Sequence, residues 1–373
     1  MTDNLLPLVR RYPGLEGRLV RVPLMAGPTA VEQLQLPLGS PYRAPRDGLW
    51  IKRDDCTGVR YGGNKVRKLE FLLGDALADG YDTVWTVGAI GSHHALATAI
   101  YGEQLGLEVH LIHTPQPVSD HVRRNVRAVA ATSAHLRLTQ HPLGVPLRAA
   151  QLQLRRRLFH GRRAYRIPLG GSNPLGTLGY VNAAFELSEQ IAAGRLPCPR
   201  RIYVPVGSCG TFAGLWLGCK LAQLDLDVVG VRVVPLAVGN PWVAALLIRA
   251  TSTLLHALDP TVPRLTPDPR TLSIRHIYAG AGYGLPTERG RNASTLLKAM
   301  DVKTDPTYTA KTASALLDEL ARVNLRPDGP VLFWNTLSSV DLEAGLGGPL
   351  PALNRLPNRY QHLLERTTHR IAP

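Results

Sequence analysis

Two glycines and an asparagine stand directly before Lys65 in the run Arg60-Tyr-Gly-Gly-Asn-Lys65-Val-Arg-Lys68-Leu-Glu70. The glycines suit a tight or left-handed turn, and Asn64 suits the cap of a helix whose first turn then carries Lys65. An amine held there feels a positive field, which lowers its pKa and readies it to attack an aldehyde. Lysine is otherwise rare: seven residues against 36 arginines (43 − 7), with Lys52, Lys65 and Lys68 close together in the chain. Taken alone, the run is equally an ordinary capped helix with a surface lysine.

A second run, Gly207-Ser208-Cys209-Gly210-Thr211, follows an apolar strand-like segment and precedes a helical one. Backbone N–H groups and the hydroxyls of Ser208 and Thr211 can surround a phosphate there. The run lacks the Gly-Lys-Ser/Thr ending of a P-loop and the G-x-G-x-x-G spacing of a dinucleotide turn. An amine for an aldehyde and a cradle for a phosphate are together what pyridoxal 5'-phosphate requires. A third loop, Val87-Gly-Ala-Ile-Gly-Ser92-His93-His94, suits a substrate carboxylate through its N–H groups and Ser92, although Ser92 as a plain helix cap explains it too. Adjacent histidines face different ways on a helix, so no metal site is expected.

Short apolar runs alternate with amphipathic helix-length segments, which predicts an α/β fold with parallel sheet. Strands are expected at 48–52, 82–87, 109–113, 165–168, 202–206, 226–234 and 331–334. Helices are expected at 64–78, 95–105, 119–131, 148–159, after Thr211, and at 290–300, 310–323 and 359–367. All three loops thus join a strand to a helix. The chain is long enough for two domains.

The net charge of +15 is spread along the chain rather than gathered in an aromatic-laced stripe, which argues against nucleic acid as partner. No stretch approaches the ~20 apolar residues of a membrane span, and no apolar segment follows Met1 as in a signal peptide. Cys56, Cys198, Cys209 and Cys219 form no disulfide or zinc pattern, so a reducing cytoplasm is expected.

Several runs occur in an order that resembles the family of 1-aminocyclopropane-1-carboxylate (ACC) deaminase and D-cysteine desulfhydrase. They are Ile51-Lys-Arg-Asp-Asp55, Gly62 to Glu70, Gly88 to Ser92, Gly170-Gly-Ser-Asn173, Leu175-Gly176, Leu178-Gly-Tyr180, Gly207 to Thr211, Gly282-Tyr-Gly-Leu-Pro286 and Asp305-Pro-Thr-Tyr308. The resemblance implies the tryptophan-synthase-β type of fold, with a large domain from 1–65 and 176–373, a small one from 66–175, and pyridoxal phosphate between them. It implies a Schiff base at Lys65 and a phosphate site from Lys68 and residues 207–211. Ser92, Tyr283 and Tyr308 fall on the family's catalytic positions, and His94 joins Ser92, His93 and Tyr283 near the substrate. A homodimer is implied by the resemblance alone.

Three departures stand out. His93 replaces the asparagine that meets the cofactor's phenolic oxygen, and an imidazole there titrates near neutrality. Thr309 replaces the glutamate of ACC deaminases, which points toward desulfhydrases. Trp334-Asn335-Thr336-Leu337-Ser338-Ser339 replaces a His-Thr/Leu-Gly-Gly run, leaving Thr336 for the pyridine nitrogen and suggesting a remodelled pocket. The expected activity is elimination from a small amino acid, giving an α-keto acid and ammonia. Its rivals are capture of the intermediate by an external nucleophile, ring chemistry in a specialised biosynthetic pathway, and a regulatory subunit that keeps the fold without catalysis.

Overall fold

The computed structural model describes residues 5–141, 143–321 and 328–366. The first part of the chain holds α1 (Pro7–Arg11), β1 (Val31–Leu34), β2 (Leu49–Lys52), α2 (Asn64–Ala78), β3 (Thr83–Ala89) and α3 (His93–Gln104). Then come β4 (Glu108–Thr114), α4 (Asp120–Ala130), β5 (His135–Leu138), α5 (Gly144–His160), β6 (Tyr165–Arg166) and α6 (Pro174–Ala192). The remainder holds β7 (Arg201–Val206), α7 (Gly210–Leu221), β8 (Asp227–Arg232), α8 (Pro241–Leu258), β9 (Ile274–Arg275), α9 (Glu288–Lys298), α10 (Thr309–Ala321), β10 (Val331–Trp334), α11 (Leu342–Leu346) and α12 (Asn358–Arg366). The expected helix ends at 322–323 and 367 lie outside the described residues.

Two sheets result. One has four parallel strands in the order β5-β4-β3-β6; the other has six, β1-β2-β10-β7-β8-β9, parallel except for β1 on its edge. All strands of the smaller sheet fall between residues 83 and 166. Helices cover the sheets, so central strands such as Val331–Trp334 are buried at every position and read as unbroken apolar runs.

The sequence reading passed over α6 and α8, yet both carry start signals. Asn173 and Asn240 accept hydrogen bonds from the amides of Gly176 and Val243, and each is followed by a proline at the first helical position. It also passed over β1, β5 and β9, which are short and lie toward sheet edges. Although no membrane span was expected, α8 is long and apolar enough for one by length and composition. It packs on the large core through Ala244, Ile248 and Leu255.

Between the larger sheet and helices α2 and α6 lies a buried ionic cluster. Arg67 donates to Asp54 at 2.7 and 2.9 Å and to Glu186 at 2.8 and 3.0 Å, and Lys52 donates to Glu186 at 2.6 Å and Gln190 at 2.7 Å. Tyr180 and the Trp334 indole add bonds to Asp54 of 2.6 and 2.7 Å. Burial alone would raise the Glu186 pKa, but Arg67 and Lys52 hold it at about 2. The cluster ties β2, α2, α6 and β10 together.

Candidate active site

The carboxyl ends of β3, β4, β7 and β10 open onto one cavity of roughly 650 Å³, the place where parallel α/β sheets leave loops free for ligands. Lys65, Lys68, Ser92, His93, His94, Tyr283, Tyr308, Thr336 and the whole 207–211 loop line it. Every residue expected to serve the cofactor or the substrate therefore lines one space.

One region of that cavity is built for an anion. Lys68 donates to Ser172 Oγ at 3.1 Å and to the Gly170 carbonyl at 3.2 Å; Ser172 Oγ meets Ser208 Oγ at 2.8 Å and accepts from the Gly210 amide at 3.2 Å. Gly210 opens α7, so the helix's free N–H groups point the same way. A Cβ at Gly210 would lie 2.7 Å from the Lys68 amine, so only glycine leaves the space open. Cys209 makes the turn with φ +65° and directs its thiol to the carbonyl of Val238 rather than into the cradle. Ser172 lies in the Gly170-Gly-Ser-Asn173 run, but nothing local to that run marks its hydroxyl as part of the cradle.

Asn64 does not cap α2. Gly63, at φ +86°, takes the cap position, where a Cβ would lie 2.8 Å from the Thr336 carbonyl oxygen, and the Asn64 amide donates to Thr211 Oγ1 at 2.9 Å. The turn seats Lys65 half-buried at the cavity, where desolvation lowers its pKa to about 8. Lys68 is lowered further, first by burial and then by Lys65. Neither lysine has a carboxylate partner among the described residues.

Ser92 caps α3, accepting from the Ala95 amide at 3.3 Å while its own proton stays available to the cavity. The hydroxyls of Tyr283 and Tyr308 are 2.9 Å apart, and burial raises both pKa values, Tyr308 well above the usual range. Tyr61 Oη lies 2.5 Å from His93 Nδ1, and His121 Nε2 lies 2.9 Å from His93 Nε2, so both imidazole nitrogens are committed within the protein. Burial, then His121, pushes the His93 pKa down, so the ring is neutral at pH 7. His94 Nε2 pairs with Thr86 at 2.9 Å. Tyr61 and His121 were not foreseen, because they lie 32 and 28 residues from His93 and join it only in the fold.

A model of the family described as pyridoxal-phosphate dependent enzyme matches residues 24–336. The chain belongs to that family. It is 38% identical over 343 residues to the nocardicin C-9' epimerase of Nocardia uniformis subsp. tsuyamanensis, covering 90% of this chain and 97% of the relative. It is 35% identical over 324 residues to the D-cysteine desulfhydrase of Salmonella paratyphi A, covering 86% and 94%. The crystal structure of an ACC deaminase homologue superposes with a TM-score of 0.72 at 28% identity, covering 98% of this chain and all of the other. The fold is the tryptophan-synthase-β type of this family, and its cofactor is pyridoxal phosphate.

The residues present fit that cofactor. The buried Lys68, the half-buried Lys65 and a helix N-terminus share a region without a carboxylate, so the missing partner is an anion. Lys65, the amine that makes no hydrogen bond among the described residues, is the free one of the pair. The scarce lysines thus divide into two groups: Lys65 and Lys68 face the cavity, whereas Lys52 belongs to the ionic cluster. The departure at 334–339 also divides. The Trp334 ring turns into the core and Asn335 donates to the Lys303 carbonyl at 3.2 Å, so only Thr336 and Leu337 reach the cavity and the expected remodelling is confined to them. Thr309 bonds Asp305 at 2.8 Å and does not line the cavity. A separate trio, Glu108, His110 and His135, brings possible metal-ligating atoms together on β4 and β5 outside it.

Proposed function

We propose that this enzyme removes the α-proton of an amino acid and expels a β-substituent, giving an α-keto acid and ammonia. The observation that carries the reading is Lys65: a half-buried amine with its pKa lowered to about 8, in the same cavity as an anion cradle and the hydroxyls of Ser92, Tyr283 and Tyr308. The bound cofactor supplies an aldehyde for amines to join and an electron sink that makes the neighbouring C–H acidic. Lys68, Ser172, Ser208, Thr211 and the amides of 207–210 would hold its phosphate, with Thr336 at its ring nitrogen.

Lys65 then does two jobs. As a neutral amine it is the nucleophile, and once the substrate displaces it, its Nζ takes the proton from the α-carbon. Ser92 and the α3 N-terminus bind the substrate carboxylate. Tyr283 and Tyr308, kept protonated by burial, hand a proton to the departing group. His93, with both nitrogens engaged, positions the wall beside Tyr308 and keeps it uncharged. The desulfhydrase relative supports this outcome.

A second reading is epimerisation, in which a proton returns to the α-carbon on the other face. It draws on the 38% identity to an epimerase over 90% of the chain. Incubating the cofactor-loaded protein with D- and L-cysteine, D- and L-serine and β-chloro-D-alanine in deuterium oxide separates the two. Keto acid with ammonia supports elimination, and deuterated substrate of opposite hand supports epimerisation. No turnover and no spectral response to these or to D- and L-phenylalanine overturns both. We place the enzyme in the cytoplasm, with its four cysteines unpaired, as a homodimer with 66–175 as a separate small domain. Light scattering at twice the chain mass checks the assembly, and a monomer refutes it.

A further inference from the structure

We infer that the amino acid taken by this site carries a bulky, uncharged, apolar side chain, of the size of an aryl group. This rests on the proposed function and replaces the small substrate expected from the sequence. Cavities of ~300–1,000 Å³ suit ligands of drug size, and roughly 650 Å³ here exceeds what a cofactor with a two- or three-carbon amino acid needs.

The lining says what fills the remainder. Polar groups concentrate where the phosphate, the amine and the carboxylate are served. The side contributed by the small sheet and α5 includes Val87, Ala89, Thr114, Pro115, Val145 and Pro146; the ionisable groups that follow β3 there, His93 and His94, are already engaged, His93 with Tyr61 and His121 and His94 with Thr86. The carboxylate elsewhere in the lining, Asp305, already accepts from the amides of Thr307, Tyr308 and Thr309 and from the Thr309 hydroxyl. A charged side chain would thus be desolvated against that wall without a partner, and a methyl-sized one would leave it facing water.

The wall is also preformed. Ala89 pairs with Thr114 in the register of β3 and β4, Val87 and Val145 pack on the core of Trp85, Ile112 and Leu152, and Pro146 stiffens the first turn of α5. A rigid apolar wall selects by size and apolarity without a conformational cost on binding.

The test uses amino acids that lack an α-proton and so bind without turnover. Binding of D- and L-α-methylphenylalanine, α-methylaspartate and α-aminoisobutyrate to the cofactor-loaded protein is followed by calorimetry and by the cofactor's absorbance. One hand of α-methylphenylalanine should bind at least about tenfold more tightly than α-aminoisobutyrate, the discrimination that even one methylene gives in an apolar pocket. α-Methylaspartate should bind more weakly than both. Val145→Trp, which fills the wall, should bring the aryl-to-methyl ratio to within about twofold of one. If that variant does not take up cofactor, the wild-type ratio decides. A response to α-aminoisobutyrate with equal or weaker binding of both aryl compounds overturns this inference and leaves the proposed function standing. Silence toward all four overturns both.

Discussion

At the scale of single residues the site works by subtraction. Lys65 has no carboxylate partner among the described residues, and desolvation moves its pKa from 10.5 to about 8. In the proposed role the neutral amine is the nucleophile, so the rate at which the cofactor-free protein captures pyridoxal phosphate should rise with pH and level off above about 8. A stopped-flow profile with its midpoint near 10.5 would contradict this. Lys65→Ala should lose the absorption band of the lysine-bound cofactor and about 10²–10⁴-fold or more in turnover. Ser172→Ala removes an oxygen that contacts Lys68, Ser208 and the Gly210 amide. Its loss should weaken pyridoxal phosphate by about tenfold or more, a charged hydrogen bond being worth about 1.5–3 kcal/mol, and leave phosphate-free pyridoxal nearly unaffected.

At the scale of elements, what matters is how α2 is held. Its first turn carries Lys65 and Lys68, and its middle carries Arg67, which grips Asp54 from the β2 side and Glu186 on α6. Each ion of such a cluster is stable only while its partners remain. Glu186→Gln should therefore destabilise the protein by about 3–5 kcal/mol at pH 7, the usual cost of breaking a buried pair. The Glu186 carboxyl has a folded pKa of about 2 against 4.5 ordinarily, so its contribution is complete above pH 4.5 and fades as pH falls toward 2. Melting temperatures across that window should fall steeply for the wild type and less steeply for the variant; parallel curves would refute the assignment. Asn173 and Asn240, each followed by proline, show that the starts of α6 and α8 were readable in the sequence. The short strands β5 and β9 were not, because four or two residues carry too little pattern to separate from loop.

At the scale of the molecule, the cavity belongs to neither sheet. The phosphate cradle hangs from β7 and α7 of the larger sheet, and Ser92 and the apolar wall hang from β3, β4 and α5 of the smaller one. A cofactor bridging them binds the folded chain and not the unfolded one, so it should add about 2.7 kcal/mol of stability at a hundredfold excess over its Kd. Stripping it should lower the melting temperature, and pyridoxal phosphate, but not pyridoxal, should restore it. Equal rescue by both would show that the cradle contributes nothing.

By itself the sequence determined the α/β class and the strand–helix loops that carry Lys65, Ser92 and residues 207–211, because those follow from local rules: apolar period and turn residues. The family followed from the order of the same runs. Only the tertiary structure decided which lysine faces the cavity and which sits in an ion cluster, since Lys52 and Lys65 differ in partners far along the chain. It alone sent the Trp334 ring into the core, closed both nitrogens of His93 with Tyr61 and His121, and packed Val87 and Val145 on one apolar cluster at the cavity. Each of these depends on contacts between segments tens to hundreds of residues apart, where side-chain direction is settled by packing rather than by neighbouring sequence.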